Sequence, residues 1–367
     1  MAGIPVREQM FDVFLHGPLF FDIVFTGLPA MPVPGTETFA TGLGSLPGGI
    51  ANLAVATARL GLDTALAVGF GDDGYGRYCR SVLDEEHVDL SRSLTVDQHT
   101  NITVSMSSGG DRAMVTHGHD LPISADELIG TPPPTRAVIT DLTGDRVTQR
   151  WWRAAAEAGA MVFVDVGWDE SGQWSRDVLA PLEVCHAFAP NAGEAMAYTG
   201  TASPHDALRE ISRLVPLAVV TLGPQGAIAR DREIGEEAAA EGIALPAIDP
   251  TGAGDNFVAA LAYGRLAAWP LQQTLDFAVL CSALSVTQFG GSLSAPGWGD
   301  IASWFDHVTG RLAGGATPRC PCALHVEPDP RLAARFAFLD EVVPPAPFAT
   351  MRRAEATFAQ AADPAHH

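Results

Sequence analysis

The 367-residue chain contains no lysine: all 22 of its basic residues are arginine, set against 43 aspartates and glutamates. A phosphate-binding loop of the Gly-Lys-Ser/Thr kind is therefore excluded, and phosphate must be held by backbone amides, arginine or metal. The formal net charge of −21 argues against nucleic acid or an anionic membrane as partner, since both would be repelled. It does not argue against ATP, because charges beyond about 8 Å are largely screened at physiological salt and local amides decide. Cysteine is sparse and odd in number (79, 185, 281, 320 and 322), which reads as a reduced intracellular protein rather than a disulfide scaffold. Cys320-Pro321-Cys322 with His325 looks like a ligand set, but its spacing suits no common zinc site. No apolar run reaches about 18 residues, and no basic-then-apolar leader opens the chain, so a soluble, cytoplasmic protein is expected.

What is present is a large globular composition, 47% apolar and 18% charged, enough for one large α/β domain or two ordinary ones. Short apolar runs alternate with helical patterns. Strands are expected at Asp12–His16, Phe21–Thr26, Thr64–Val68, Ala137–Thr140, Met161–Asp165, Ala187–Ala189 and Leu217–Leu222, with a hairpin at Gly226–Arg230. Helices are expected at Ile50–Leu60, Tyr75–Glu86, Val147–Ala158, Ala192–Tyr198 and Pro204–Leu214, and from Gly252 and Leu271. Such alternation implies a parallel sheet covered on both faces. Polar strands before residue 41 and between 95 and 120, including a hairpin around Ser108-Gly109-Gly110-Asp111, predict a small extra sheet. Beyond about Gly310 a Pro- and Ala-rich stretch carries two short helical patterns, Arg331–Leu339 and Met351–Ala361.

The most informative segment is Asp249-Pro250-Thr251-Gly252-Ala253-Gly254-Asp255, which runs straight into a small-residue helix. Its small residues let the backbone turn tightly, and the N–H groups of the helix start face the same spot with the dipole behind them. Asp255 beside a bound anion suits a base for an attacking hydroxyl, the pairing that phosphoryl transfer requires. The bland alternative is a tight loop. A free Asp titrates near 3.9 and a helix N-terminus adds about 0.3–1 kcal/mol toward the anion, so Asp255 is expected to be ionised without special tuning.

Three further constellations accompany it. Pro47-Gly48-Gly49-Ile50-Ala51-Asn52 opens a helix, and the Asn52 amide can both donate to and accept from a hydroxyl; a Gly-rich turn on a core helix explains it equally. Asn191-Ala192-Gly193-Glu194 puts two polar side chains on one helix face, as a ligand pair or as a simple cap. Thr221-Leu222-Gly223-Pro224-Gln225-Gly226 is a glycine-bounded turn. A fourth segment, Gly69-Phe70-Gly71-Asp72-Asp73-Gly74, fits a dinucleotide fingerprint in spacing, but its aspartates would oppose a pyrophosphate.

Together these segments, in this order over about residues 10–310, resemble the ribokinase-like (PfkB) carbohydrate kinases. Residues 249–255 resemble the family's second signature with Pro250 in place of the common Thr. Residues 47–52 resemble the first, with the Gly pair displaced by one position. The resemblance implies a three-layer αβα sandwich with a small β lid, the lid strands falling within about 12–41 and 95–120, and a C-terminal extension over 311–367. It implies an ATP- and Mg²⁺-dependent kinase acting on a primary hydroxyl of a small sugar. Gly252, Ala253 and Gly254 would form the anion hole and Asp255 the base. Asp22, Gly48, Gly49 and Asn52 would grip the sugar. Asn191, Glu194, Thr221, Gly223, Gly226 and Thr251 would serve the nucleotide, with Glu194 reaching the metal through water. Gly290-Gly291 falls where the family closes its adenine pocket. Asp165-Val166-Gly167-Trp168-Asp169 with Trp174 partly resembles a stretch of fructokinase-like members, without the arginine an acid sugar would want.

A nucleoside kinase of the same fold is the alternative within the class, although residues 101–117 contain no Phe, Tyr or Trp to stack a base. A non-catalytic sugar- or nucleotide-binding regulator is the alternative outside it, and it would have no use for Asp255. In such families lids often pair between subunits. The alternation at Ile102, Val104 and Met106 leaves an apolar face to be covered, by a partner's lid in a homodimer or by the chain's own core.

Overall fold

The computed structural model describes residues 10–108, 111–142, 144–166, 172–288, 290–311 and 327–344. Cys320, Cys322 and His325, the Met351–Ala361 pattern, the Gly109-Gly110 tip and Gly167-Trp168-Asp169 lie outside them. The strands are β1 (Phe11–His16), β2 (Leu19–Thr26), β3 (Gly42–Gly49), β4 (Thr64–Ala67), β5 (Gly69–Gly71), β6 (Leu94–Val96), β7 (Ile102–Ser108), β8 (Asp111–His117), β9 (Thr135–Asp141), β10 (Met161–Asp165), β11 (Ala187–Phe188), β12 (Leu217–Thr221), β13 (Gly226–Asp231) and β14 (Glu236–Glu241). The helices are α1 (Ile50–Arg59), α2 (Gly74–Glu85), α3 (Ala125–Ile129), α4 (Trp151–Glu157), α5 (Ala192–Thr199), α6 (Pro204–Ile211), α7 (Ala253–Leu266), α8 (Leu271–Ser285), α9 (Trp298–Val308), α10 (Pro330–Arg335) and α11 (Leu339–Val342).

Eight strands form the main sheet in the order β14-β13-β12-β11-β10-β9-β1-β4. From β12 to β4 every neighbour is parallel, and β13 and β14 add an antiparallel edge. Side chains alternate along a strand, and the core divides accordingly. Val13, Leu15, Ala137 and Ile139 pack with α1, α7 and α8, while Phe14 and Val138 pack with α4 and α6. This is the expected three-layer sandwich. Arg59, at the end of α1, is buried with Glu86 at 2.8 Å and donates to the Leu293 and Ala295 carbonyls, tying both helices to the turn after α8.

The second sheet, β3-β2-β7-β8, is the lid. Its strand β3 lies at Gly42–Gly49, beyond the stretch ending at 41 where it was expected, and the Gly48-Gly49 pair is strand rather than turn. Of the two covers expected for the lid's apolar face, a partner's lid or the chain's own core, the core leaves it partly exposed. Thr103, Ser105 and Ser107 are buried while Ile102, Val104 and Met106 are partly exposed. Register puts Asp22 beside Thr103 and Val24 beside Ser105, with Ser107 opposite Arg112. The polar face thus turns inward, and the Ser105 and Ser107 hydroxyls are buried with no hydrogen-bond partner among the described residues.

Three helices are shorter than their patterns, and of these α6 ends at Ile211 rather than Leu214. Asp126 accepts from the Arg150 and Trp151 amides, so α4 starts at Trp151 rather than Val147. The Arg331–Leu339 pattern divides into α10 and α11, and Phe336 and Leu339 are fully buried. Phe336 meets Trp304 edge-on at 5.1 Å, and Arg335 Nε donates to Asp276 at 2.6 Å.

Candidate active site

The site is assembled at the start of α7. Asp249 is fully buried; its Oδ1 accepts from the Thr251 N–H at 3.0 Å and hydroxyl at 2.8 Å, and its Oδ2 from the Gly290 N–H at 3.1 Å. Those three donors fold the turn onto the Gly290-Gly291 segment, which sits against the start of α7 rather than apart from it. Gly252 completes the turn in the left-handed region (φ 78), and a Cβ there would lie 3.1 Å from the Gly291 Cα. The Ala253 N–H already donates to the Pro250 carbonyl at 3.2 Å. The Gly254 and Asp255 amides belong to the first turn, which has no intrahelical acceptor for them.

Asp255 is half-buried and accepts from Asn52 Nδ2 at 2.8 Å. Burial raises its pKa to about 6; the Asn52 hydrogen bond and the Arg112 charge pull it down, and Asp141 pushes it up. The expectation of an untuned carboxylate is therefore corrected: desolvation outweighs the helix terminus. Asn52 Oδ1 is buried without a partner among the described residues.

Asp22 lies across from these groups on β2. Its carboxylate rests on the bare backbone of Gly48, where a Cβ would come 1.9 Å from Oδ2; no other residue fits there. Burial, then Asp255 and Asp249, raise the Asp22 pKa to about 7, with Arg112 opposing. Gly49 ends β3 and stands at the N-cap of α1, which carries Asn52 on its first turn. Arg112 is a candidate that motif reading missed. It reaches from β8 to Thr251 Oγ1 at 2.9 Å, so the lid touches the turn of α7. The absence of lysine was the available signal, because it leaves arginine as the cation for phosphate.

A second group lies farther along the C-terminal edge of the sheet. Asn191 and Glu194 cap α5 reciprocally, Asn191 Oδ1 accepting from the Glu194 N–H and Glu194 Oε2 from the Asn191 N–H, both at 3.0 Å. The capping alternative is thus realised in the geometry. Thr221 forms a bridge with Asn191, and beside it Gly223 faces open space. Gly226 has a plainer role, since a Cβ there would strike the Ala240 carbonyl at 1.9 Å.

Between the two groups stand Asp141 and Asp165, paired in register at the ends of β9 and β10. Asp141 accepts from Arg146 Nε at 2.7 Å. The Asp165 carboxyl is pushed well above the usual carboxylate range by burial, then by Glu194, with Asp255 and Asp141 adding to it; burial likewise raises Glu194. Carboxylates at the C-terminal ends of parallel strands stand where open α/β sheets bind ligands. The dinucleotide-like segment holds none of this. Asp73 accepts from Gly76 N and from Thr100 N and Oγ1 at 2.7–2.8 Å, filling the start of α2 with its own carboxylate.

Fold and site define a phosphoryl-transfer enzyme of the α/β class. The sequence model of the pfkB family of carbohydrate kinases matches residues 41–298, and the chain belongs to that family. It is an ATP-dependent carbohydrate kinase on a ribokinase-like sandwich. A fructokinase from Klebsiella pneumoniae is 31% identical over 284 residues, covering 68% of this chain and 89% of its own. The bifunctional protein HldE of Hyphomonas neptunium is 28% identical over 307 residues, 78% of this chain; the chain spans 60% of that protein's length. The structure of Arabidopsis thaliana ribokinase complexed with ribose and ATP shares the fold at a TM-score of 0.66 and 23% identity, covering 80% of this chain and 98% of its own. No helix among the described residues is long and apolar enough to cross a membrane.

The crowding of Asp22 carries a stability consequence. Its folded pKa, about 7, exceeds the ordinary 3.8, so the ionised carboxylate weakens the fold. That cost is absent below about 3.8, grows as pH rises and is complete above about 7. Asp22→Asn should therefore raise the unfolding free energy near pH 8 by on the order of 2 kcal/mol, and by progressively less toward pH 5. Urea unfolding at both pH values measures it, and a pH-independent difference would contradict the assignment.

Proposed function

We propose that this kinase transfers the γ-phosphoryl group of ATP to a primary hydroxyl of a small sugar, with Asp255 as general base. The observation that carries the reading is the juxtaposition of Asp255, held by Asn52 at the start of α7, with a buried polar surface that lacks internal partners. Asn52 Oδ1 and the Ser105 and Ser107 hydroxyls are buried and unpartnered among the described residues, and Asp22 projects beside them. A polyol satisfies such groups, whereas an apolar ligand leaves each at a cost of about 1–3 kcal/mol.

Asp22 and Asn52 hold the sugar, with Gly48 and Gly49 admitting it close to the backbone. Asp255, ionised for the most part at neutral pH, takes the hydroxyl proton as the oxygen attacks the γ-phosphorus and the bond to ADP breaks. The amides of Gly252, Ala253 and Gly254 face the moving phosphoryl group, as far as the Ala253 contact to Pro250 relaxes. Arg112 adds the positive charge that no lysine supplies. Thr251 stands between Arg112 and Asp249. Asn191, Thr221, Gly223 and Gly226 border the nucleotide side. Asp141, Asp165 and Glu194 suit Mg²⁺: half-buried carboxylates, of which Glu194 and Asp141 raise the pKa of Asp165, would be relieved by a hard cation that keeps most of its waters, Glu194 reaching it through one. Bound there, the ion would neutralise charge on the ATP phosphates. A cytoplasmic setting belongs to the same reading, and Cys79, Cys185 and Cys281 are free, buried thiols.

A panel of sugars and nucleosides assayed for ATP turnover tests the substrate class. Efficient turnover confined to nucleosides would replace the sugar reading with the nucleoside one. Absence of any turnover would favour a binding regulator, although a carboxyl raised to about 6 beside an anion site has no purpose there. With the sugar found, Asp255→Asn should keep nucleotide binding and lower kcat by about 10²–10⁴, the usual worth of a positioned base. The wild-type kcat/KM should rise with pH through about 6, as Asp255 loses its proton, and the variant should lose that limb. Activity within a few-fold of wild type would sink the base assignment.

Asp22→Ala and Asn52→Ala should raise the sugar KM far more than the ATP KM, since each deletes a buried partner of the sugar. Equal effects on both substrates would move the sugar site elsewhere.

The lid's outer face is proposed to pair with a second copy. Leu43 is 46% and Val115 64% exposed there, beside the partly exposed Ile23, Val104 and Met106. Residues 327–344 pack against α8 and α9 instead of covering it. Light scattering should give a dimer that Val115→Glu dissociates; a wild-type monomer overturns the pairing.

A further inference from the structure

Three histidines converge at the end of the lid hairpin opposite Arg112. His99 precedes β7, His117 ends β8 and His119 follows it. One ring nitrogen from each lies within 4.8 Å of the others. The ring centroids are 4.5–5.5 Å apart, with His99 stacked on His117 and His119 edge-on to both. All three side chains are exposed. We propose that His99, His117 and His119 form a binding site for a zinc-class transition-metal ion that clamps the base of the lid hairpin.

The surrounding contacts favour ligation. His99 Nδ1 lies 3.2 Å from the Thr100 carbonyl, an acceptor alone, so the proton sits on Nδ1 and the Nε2 lone pair is presented outward. Such a carbonyl contact is the usual outer support of a ligating imidazole. That Nε2 shares a hydrogen bond with the Nε2 of His119 at 2.8 Å, whose proton a metal ion would displace, and the spacing is near the ~3.3 Å that two ligands at 2.0–2.1 Å subtend in a tetrahedron. The backbone around the rings is fixed independently. Thr100 is held by Asp73 through its N–H and hydroxyl at 2.8 Å, and the His119 N–H donates to Asn101 Oδ1 at 2.8 Å. Ile102 pairs with His117 across the hairpin. Small rotations of exposed rings close the triad, while the segments carrying them stay in place.

Imidazole donors select Zn²⁺ and its transition-metal neighbours over Mg²⁺, so the site is chemically separate from the carboxylates at the sheet edge. Three protein ligands leave a fourth position to water or an anion. An ion here links the segment leading into β7 with the segment leaving β8. It therefore braces the hairpin that carries Arg112 at its far end.

The test is titration of the tag-free full-length protein with Co²⁺, followed by competition with Zn²⁺. One equivalent should produce the visible bands of tetrahedral cobalt, and Zn²⁺ but not excess Mg²⁺ should abolish them. His99→Gln and His119→Gln, at exposed positions, should weaken binding by at least roughly 10–100-fold, the loss seen when merely an outer-shell partner is removed. Cys320→Ser/Cys322→Ser should bind as wild type. Hydrogen exchange of β7 and β8 amides should slow on Zn²⁺ addition in the wild type and not in the histidine variants. No saturable binding, equal binding by the histidine variants, or loss of binding in the cysteine variant would each overturn the site.

Discussion

Three carboxylates share one desolvated spot, and the rest of the site is arranged around how unequally they are satisfied. Asp249 receives three donors at 2.8–3.1 Å and serves as an anchor, fixing the turn before α7 and the segment after α8. Asp255 receives one strong donor from Asn52 and is left within reach of neutral titration. Asp22, pressed against Gly48 and facing the other two, is raised further still, to about 7. Asp255 and Asp22 are thus raised to different extents, to about 6 and about 7, and groups so separated can take different roles in one site. A fold selected for stability alone would not keep this crowding, since burying unpaired charge is costly. In the proposed reading a bound sugar and the lid's arginine would complete the arrangement.

The legible parts of the sequence were those whose physics is local. Asp249–Asp255 prescribes a tight turn and a helix start whatever surrounds it, and β1, α1 and α7 follow from periodicity and small residues. The Asn191–Glu194 cap also follows from spacing, which is why a ligand role and a capping role could not be separated there. Strand β3 was hidden because Gly-Leu-Gly-Ser-Leu-Pro-Gly-Gly has little intrinsic strand preference; pairing with β2 imposes it. Glu236–Glu241, made of Glu and Ala, carries no strand signal and becomes an edge strand through pairing with β13. Asp141 and Arg112 carry no motif, and Asp165 only a partial one; topology brings Asp141 and Asp165 side by side. The elevated pKa values were invisible for the same reason, since desolvation belongs to the folded surroundings and not to the residue.

The inverted lid follows from this distinction. Alternation of Ile102, Val104 and Met106 correctly indicated a two-faced strand, yet alternation does not say which face turns inward. Here the buried face is the hydroxyl-bearing one and the apolar face is partly exposed. Thr103 Oγ1 already pairs with Thr116 Oγ1 at 3.0 Å, whereas the Ser105 and Ser107 hydroxyls are buried without partners among the described residues. Under the proposed sugar reading those two serines would find their hydrogen bonds in the substrate.

Closure also needs a mechanical path, and the β7–β8 hairpin offers one. Its far end carries Arg112 to Thr251, while its base is fixed by Asp73 through Thr100 and by Asn101 through His119. Strand β8 is the sheet's edge and pairs with β7 alone, so in the proposed mechanism the rigidity of the hairpin's base would affect how precisely Arg112 reaches the phosphoryl group. Displacements of about 1 Å at such a group are enough to cost on the order of 10²-fold in rate. Cross-linking the two strands at their root by imidazole and metal would stiffen the hairpin without touching the catalytic carboxylates. The proposed metal site and Arg112 thus stand at opposite ends of a single pair of strands.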